Sequence, residues 1–369
     1  MSPTPLRIGL VGAGGIAHAH MPGLLRLGHV TVYATDGAAE LAAAFASAAA
    51  GAGSSITVVS SLEALLDAVD VVDVVTPTSA HAEVVRAALA AGKDVVSEKP
   101  LARTDADAAD LVQRARDAGR KLFPAHVVRF FPAYVRLHEA VTTGLLGELA
   151  VLRFVRSGAF PIRTPWFADR ALSGGIVMDQ MIHDLDIARW VAGPVTTVSA
   201  VGVRSGTEAE PVEAAHVLLT HASGAISHVA GIWGPQHLPF STEYSVTGTL
   251  GSLAHRSRDE LDHVADLATP AAVDGFLPAV DPADDPYGLE LAEFLAVMRD
   301  DHGDDGAAVG APGDDGAGAP GNADAGDARS GPRAEPRVTA EDGAAAVRLA
   351  NAALESMDTG QPVSMEGRA

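Results

Sequence analysis

The chain has 369 residues, 47% of them hydrophobic, and contains no cysteine. This length favours two cores over one, and the lack of cysteine excludes disulfides, thiolate catalysis and cysteine-ligated zinc or iron–sulfur centres. A formal net charge of −21 argues against nucleic acid and anionic membranes as partners. No apolar run is long enough to span a bilayer, and the N-terminus passes from strand-like residues straight into glycines. A cytoplasmic protein is therefore expected.

Through the first 125 residues, short β-branched runs alternate with longer Ala/Leu-rich stretches. Strands are predicted at Leu6–Val11, Val30–Ala34, Ile56–Val59, Val71–Val75, Asp94–Val96 and Leu122–Ala125. Helices are predicted between them, over about Gly15–Leu27, Ala38–Ala50, Leu62–Ala68, Ala80–Ala91 and Asp105–Ala118. This rhythm predicts a doubly wound parallel sheet. After residue 126 the pattern changes. A helix near Ala133–Thr142, a strand at Leu149–Val155, a loop rich in Pro, Arg and Trp, and a helix near Gly175–Val191 come first. Val-rich runs follow at Thr197–Val203, Val212–Thr220, Ala225–Ile232 and Glu243–Gly248. The fold class is thus α/β: a nucleotide-binding domain over residues 1–126, then an α+β domain over 127–369 with a large, mainly antiparallel sheet. Residues 300–335 are nearly all Gly, Asp, Ala and Pro, with nine acidic residues and two arginines. Such a stretch buries too little apolar area to offset its ordering entropy, and a disordered acidic insert is expected. Thr339 is placed to cap a helix running to about Ser356.

Three groups of residues carry chemistry. Gly12-Ala13-Gly14-Gly15-Ile16-Ala17 fits G-x-G-x-x-G/A directly after an apolar strand and opens a helix. Gly12 permits the tight turn, Gly14 lets the backbone approach a pyrophosphate, and Ala17 allows close helix–strand packing. Asp36, nineteen residues beyond Ala17, suits a ribose 2′-hydroxyl and repels a 2′-phosphate. NAD is therefore expected, with NADP the alternative. Thr76-Pro77-Thr78 and Glu98-Lys99-Pro100 end the fourth and fifth strands, at the sheet edge where ligands bind in such folds. Lys99 reads either as a surface cation paired with Glu98 or as an ammonium that polarises a reacting oxygen. Third, Asp179, His183 and Asp186 fall at helical spacing on one face. A carboxylate beside an imidazole is either a general acid/base pair or a buried histidine satisfied by an acid. His18 is expected to be exposed and His20 to reach the cleft. His126, Arg129, Arg163 and Trp166 are candidate substrate contacts, with rim packing and surface charge as the alternatives. No histidine spacing suggests a metal site.

Taken together, Gly12 to Ala17, Asp36, Glu98-Lys99-Pro100 and the Gly174-Gly175…Asp179…His183 segment resemble the Gfo/Idh/MocA oxidoreductase family. Arg129-Phe130-Phe131-Pro132 and Ala340-Glu341-Asp342-Gly343 look like further landmarks of it. The resemblance implies that Lys99, Asp179 and His183 are catalytic: His183 takes a hydroxyl proton, Lys99 holds the oxygen, and Asp179 orients His183. It implies that Thr76, Thr78 and His81 line the cofactor cleft together with Gly12, Gly14, Gly15, Ile16, Asp36, Pro77, Glu98 and Lys99. It implies a cis Lys99–Pro100 bond, a sugar, inositol or related polyol as substrate, and a homo-oligomer (dimer or tetramer). An NAD-dependent glycosidase working by transient oxidation and a non-catalytic nicotinamide sensor are the other readings. The joint presence of Lys99, Asp179 and His183 speaks against the sensor, which needs none of them.

Overall fold

The structure is a computed structural model that describes residues 6–162, 165–167, 169–207, 210–258, 285–303 and 336–368. Six strands, β1 (Leu6–Val11), β2 (Gly28–Tyr33), β3 (Ile56–Val58), β4 (Val71–Val74), β5 (Asp94–Glu98) and β6 (Leu122–Ala125), form one parallel sheet in the order 3-2-1-4-5-6. Helices α1 (Gly15–Leu27), α2 (Ala38–Gly51), α3 (Leu62–Ala68), α4 (Thr78–Ala90) and α5 (Asp105–Asp117) connect them. The sequence explains the layering. β4 is buried at every position, as a central parallel strand covered on both faces must be. On α5, Thr104 accepts the Asp107 N–H, with Asp105 and Asp107 in the first turn and Arg114 and Arg116 in the last. Both ends of its dipole are thereby complemented. Strand order reverses between β1 and β4, so the crevice for a ligand opens at their carboxyl ends.

The chain continues through α6 (Pro132–Thr142), β7 (Leu149–Ala159), a four-residue α7 (Arg170–Ser173), a π-turn at Val177–Met181 and α8 (Ile182–Ala192). Next come β8 (Val195–Gly206), β9 (Pro211–His221), β10 (Ile226–Gly234), β11 (Ser241–Gly248) and β12 (Ser252–Arg256). α9 (Pro286–Gly303), α10 (Ala340–Thr359) and β13 (Val363–Ser364) complete the elements. The second sheet runs β12-β11-β7-β10-β9-β8-β13. Its pairs are antiparallel except β7 with β10, which matches the expected mainly antiparallel sheet. Its inner face packs on α8, α10 and the π-turn, with Leu152, Phe154, Val217, Val229 and Val246 fully buried. Its other face leaves Val151, Val201, Val203, Leu218 and Ile226 exposed.

Several expectations change. The helix predicted near Gly175–Val191 is present, unbroken over residues 175–192, but contains a π-turn at Val177–Met181 that the sequence did not announce. α9 carries helical backbone through Gly303, into the stretch predicted to lack structure; residues 304–335 lie outside the described residues. α9 also returns to the first sheet, a contact that hydrophobic periodicity does not reveal. Leu291, Phe294, Leu295 and Met298 join the core formed by Ile8, Leu10, Met21 and Leu24, and Phe294 stacks on Phe123 at 4.6 Å. α10 begins with a Thr339/Asp342 capping box, as Thr339 led one to expect, and packs against α5, α8 and β8. No helix among the described residues is long and apolar enough to cross a membrane.

Candidate active site

One cavity of about 1330 Å³ runs from the β1–α1 turn to the π-turn. That exceeds the few hundred to 1,000 Å³ of an ordinary small-molecule pocket and leaves room for a dinucleotide and a second, smaller ligand. At one end Gly12 has φ +116, and a Cβ there would meet the Val75 carbonyl oxygen at 2.7 Å. Any side chain at residue 12 is thus excluded by both conformation and space. At Gly14 and Gly15 an added Cβ would meet nothing within 4 Å. These glycines therefore leave open space over the N-terminus of α1, where free N–H groups and the helix dipole favour phosphate. Ala17 is fully buried against the sheet, and Asp36 lines the cavity from the loop after β2 with its side chain exposed. The residues present fit a dinucleotide.

Thr76, Pro77, Thr78, His81, Glu98 and Lys99 line the middle of the cavity, as predicted. His81 is more clamp than contact, being 1% exposed with its ring nitrogens 2.8 Å from the Pro100 carbonyl oxygen and 2.9 Å from that of Thr76. It ties the turn after β4 to the turn after β5. Burial lowers its pKa, and a neutral ring donates to only one of the two oxygens. The Lys99–Pro100 bond is cis.

At the far end stand Lys99, Asp179 and His183 with Gln180, Arg156 and Trp166. Lys99 Nζ donates to the Asp179 backbone oxygen at 2.8 Å and lies 3.3 Å from Asp179 Oδ1. This excludes the surface-cation reading of Lys99 and corrects the pairing read from spacing. Asp179 sits in the π-turn and gives its carboxylate to Lys99, while His183 Nδ1 is buried with no hydrogen-bond partner. Asp179 is thus held by a lysine 80 residues away rather than by the histidine four residues on. Burial is the main influence on His183, followed by the charges of Lys99, Arg156 and His126. All four lower its pKa well below the usual imidazole range, so the ring is neutral at neutral pH.

The local sequence builds this end tightly. Gly174 (φ +79) ends α7 in the left-handed conformation. Ser173 Oγ accepts the Gly175 N–H, and Glu213 on β9 accepts the Ile176 N–H. Gln180 donates to the Arg156 carbonyl oxygen. Arg156 itself is buried in a bidentate pair with Asp184.

Two predicted substrate contacts are not in the cavity wall. Arg129 is 1% exposed, bonded twice to Asp186 at 2.8 and 2.6 Å and once to Asp342 at 3.1 Å. His126 is equally buried, 3.7 Å from Asp186. Asp186, placed by spacing on the face of Asp179 and His183, is spent on Arg129 instead. Trp166 does line the cavity; Arg163 lies outside the described residues. His18 is exposed, as expected, but His20 is fully buried and does not reach the cavity. Sequence reading missed Tyr134, Arg156, Gln180, Phe240 and Tyr287 as lining residues. Gln180 alone carried a signal, being one residue from Asp179; the others come from strands, helices or loops whose registers only the fold sets.

A dinucleotide cradle that opens onto a lysine and a neutral histidine is the equipment of a nicotinamide-dependent oxidoreductase. Residues 6–126 match the profile of the oxidoreductase family with NAD-binding Rossmann fold, and residues 134–254 match the GFO/IDH/MocA C-terminal domain. The chain belongs to the GFO/IDH/MocA oxidoreductases. Among its relatives, the 1,5-anhydro-D-fructose reductase of Ensifer adhaerens is 33% identical over 68% of this chain and 76% of its own length. The dTDP-3,4-didehydro-2,6-dideoxy-alpha-D-glucose 3-reductase of Streptomyces antibioticus is 31% identical over 82% of this chain and 91% of its own. In fold, the chain is similar to GenD2 from gentamicin A biosynthesis, solved in complex with NAD. The TM-score is 0.73 at 23% identity, covering 100% of this chain and 98% of that one.

Proposed function

We propose that the chain is an NAD-dependent dehydrogenase acting on a secondary alcohol of a sugar, inositol or related polyol. The observation that carries this reading is the convergence of Lys99, Asp179 and His183 on the end of the cavity opposite the glycine turn. The names of relatives such as the inositol 2-dehydrogenase of Rhizobium meliloti, 28% identical over 87% of this chain, support the substrate class. Gly12, Gly14 and Gly15 and the α1 N-terminus would hold the pyrophosphate, and Asp36 a ribose hydroxyl, favouring NAD over NADP. The bound nicotinamide supplies the hydride acceptor or donor. The protein's part is to hold the substrate and move its proton. Lys99 donates to the alcohol oxygen and stabilises the charge that develops there. His183, uncharged at neutral pH, accepts the hydroxyl proton. Asp179 fixes the Lys99 ammonium through its carbonyl and carboxylate oxygens, taking the role of lysine holder in place of the histidine-orienting role implied by the family resemblance.

The test is a titration with NAD and NADP, followed by a panel of inositols, sugars and polyols read at the NADH absorbance. NAD binding with NADH released on one compound is the expected result. Binding without net NADH would favour transient oxidation or sensing, and failure to bind either nucleotide would end the proposal.

We further propose that the exposed face of the second sheet joins two copies of this chain in a homo-oligomer, a dimer or tetramer. Val201 and Val203 are 67% and 59% exposed, beside exposed Leu218, Ile226 and Val151 on the neighbouring strands. An apolar patch on a sheet face is the usual mark of an association surface. Light scattering should give a dimer or tetramer for the native chain and a smaller species for Val201→Glu. A native monomer would refute this.

A further inference from the structure

Beneath the turn that carries Lys99, a group of titratable side chains is shut away from solvent. His20 comes from α1, Asp73 from β4, Glu98 from β5, and Tyr287 and Glu290 from α9. His20 and Glu290 are fully buried, and Asp73 and Glu98 are 1% and 6% exposed. His20 Nδ1 is hydrogen-bonded to Asp73 Oδ2 at 2.8 Å, and His20 Nε2 stands at ion-pair distance, 3.3 Å, from Glu98 Oε1 without hydrogen-bond alignment. The second oxygen of Glu98 accepts the Lys99 backbone N–H at 3.0 Å. Only Glu98 and Tyr287 of this group reach the cavity. His20 and Asp73 thus touch neither ligand space nor solvent, yet His20 spans the gap between an aspartate and the glutamate that grips Lys99.

We propose that His20 is a positioning residue for Lys99: its ring, braced by Asp73, holds Glu98 against the Lys99 backbone and so sets where the Lys99 ammonium stands. This rests on the role given to Lys99 above. The charge balance of the cluster explains why the ring is needed. Two buried carboxylates cannot both remain ionised without a cation between them. Burial works against a charged His20, but Asp73 and Glu98 outweigh it and raise the ring well above the usual imidazole range. Burial likewise works to raise Glu98, and the polar contact and charge of His20, then the charge of Lys99, bring it below the ordinary carboxylate range. Glu290 has no such partner. Burial and the neighbouring Glu98 push it well above that range, so it stays a neutral acid. Tyr287, also facing Glu98, is raised and stays protonated. His20 is therefore the cation that α1 contributes to the group.

The test uses the full chain with His20→Gln, Glu98→Gln, the double variant and Glu290→Gln. Two readouts separate positioning from folding. The first is the rate at which acetic anhydride modifies Lys99, followed by peptide mass spectrometry with Lys93 as internal control. Both His20→Gln and Glu98→Gln should change the Lys99 rate several-fold and leave Lys93 unaffected. The second is the pH–rate profile. His20→Gln should lower kcat about tenfold with NAD affinity unchanged. Its acid limb should move to higher pH, because Glu98 without its cation takes a proton earlier. The double variant should be no worse than Glu98→Gln alone, as two residues acting through one path require. Glu290→Gln, replacing a neutral acid by a neutral amide, should match the native chain in both readouts.

Native labelling of Lys99 in His20→Gln, or additive losses in the double variant, would overturn the proposal. Should His20→Gln fail to fold, Asp73→Asn, which removes the brace of the same ring, decides by the same labelling: a native Lys99 rate there would overturn the proposal. A native chain inactive on every polyol would count against the proposed function alone, since the labelling reads Lys99 without turnover.

Discussion

Replacing Lys99 with alanine is expected to lower kcat and kcat/KM together by about 10²–10³-fold, the cost of removing one preorganised donor from a developing oxyanion. NAD affinity should not change, because the glycine turn and Asp36 lie at the other end of the cavity. The variant also strips Asp179, whose side chain is 10% exposed, of its ammonium partner, so some stability is lost as well. Lys99→Met with Asp179→Asn controls for that. It removes both charges from the buried site and should regain stability without regaining turnover. Steady-state kinetics with NAD binding measured separately decides the point. A Lys99→Ala enzyme within a few-fold of native kcat would show that His183 alone carries the chemistry.

Arg129→Ala is expected to cost about 3–5 kcal/mol of folding stability, the usual penalty for leaving buried charges without their partner. The guanidinium is 1% exposed. Besides Asp186 and Asp342 it bonds the Arg337 backbone oxygen at 2.8 Å, and it lies 5.1 Å from the Trp190 ring centre. One side chain thereby joins the segment after β6, α8 and the start of α10. Urea denaturation should show the loss as a lower midpoint, with Arg129→Met/Asp186→Asn recovering part of it. A native midpoint with a raised KM would restore the substrate-contact role that the sequence suggested. The same cluster has an acid dependence. Burial tends to raise Asp342, but Arg129, Arg189 and the Thr339 backbone outweigh it and hold the carboxyl at about 2. Because its folded value is depressed, its stabilising contribution is present above the unfolded carboxylate range near 4. That contribution is lost as pH falls toward 2.

How far the site could be read ahead depended on whether a residue's partner lay nearby in sequence. The glycine turn, Asp36 and the ends of β4 and β5 follow from local patterns, since strand, turn and helix succeed one another within a few residues. The Asp179–His183 pair failed because Asp179 is taken by Lys99, 80 residues away, a partner that local spacing cannot reveal. Arg129 and His126 were misread for another reason. An arginine beside an apolar run looks the same whether it faces a ligand or an aspartate 57 residues away. His20 shows the same limit, its partners Asp73 and Glu98 being set by the order of strands in the sheet. The return of α9 was the least legible feature, because its target lies at the opposite end of the chain.

That return has a consequence for how the molecule is made. On a ribosome, β1 to β6 emerge first, with α1 complete but its outer flank bare. Gly23, whose added Cβ would lie 3.1 Å from Leu291, has nothing against it until residues 286–303 are synthesised. The nascent nucleotide-binding half must therefore carry Phe123 without its stacking partner Phe294 through most of translation, a window in which misassembly is most frequent. The pairing of α1 with α9, more than 250 residues apart, is a contact of high sequence separation, which slows the final step of folding. A gene split after residue 126 would yield a sheet without α9, and cofactor binding in such a fragment would depend on supplying that helix in trans.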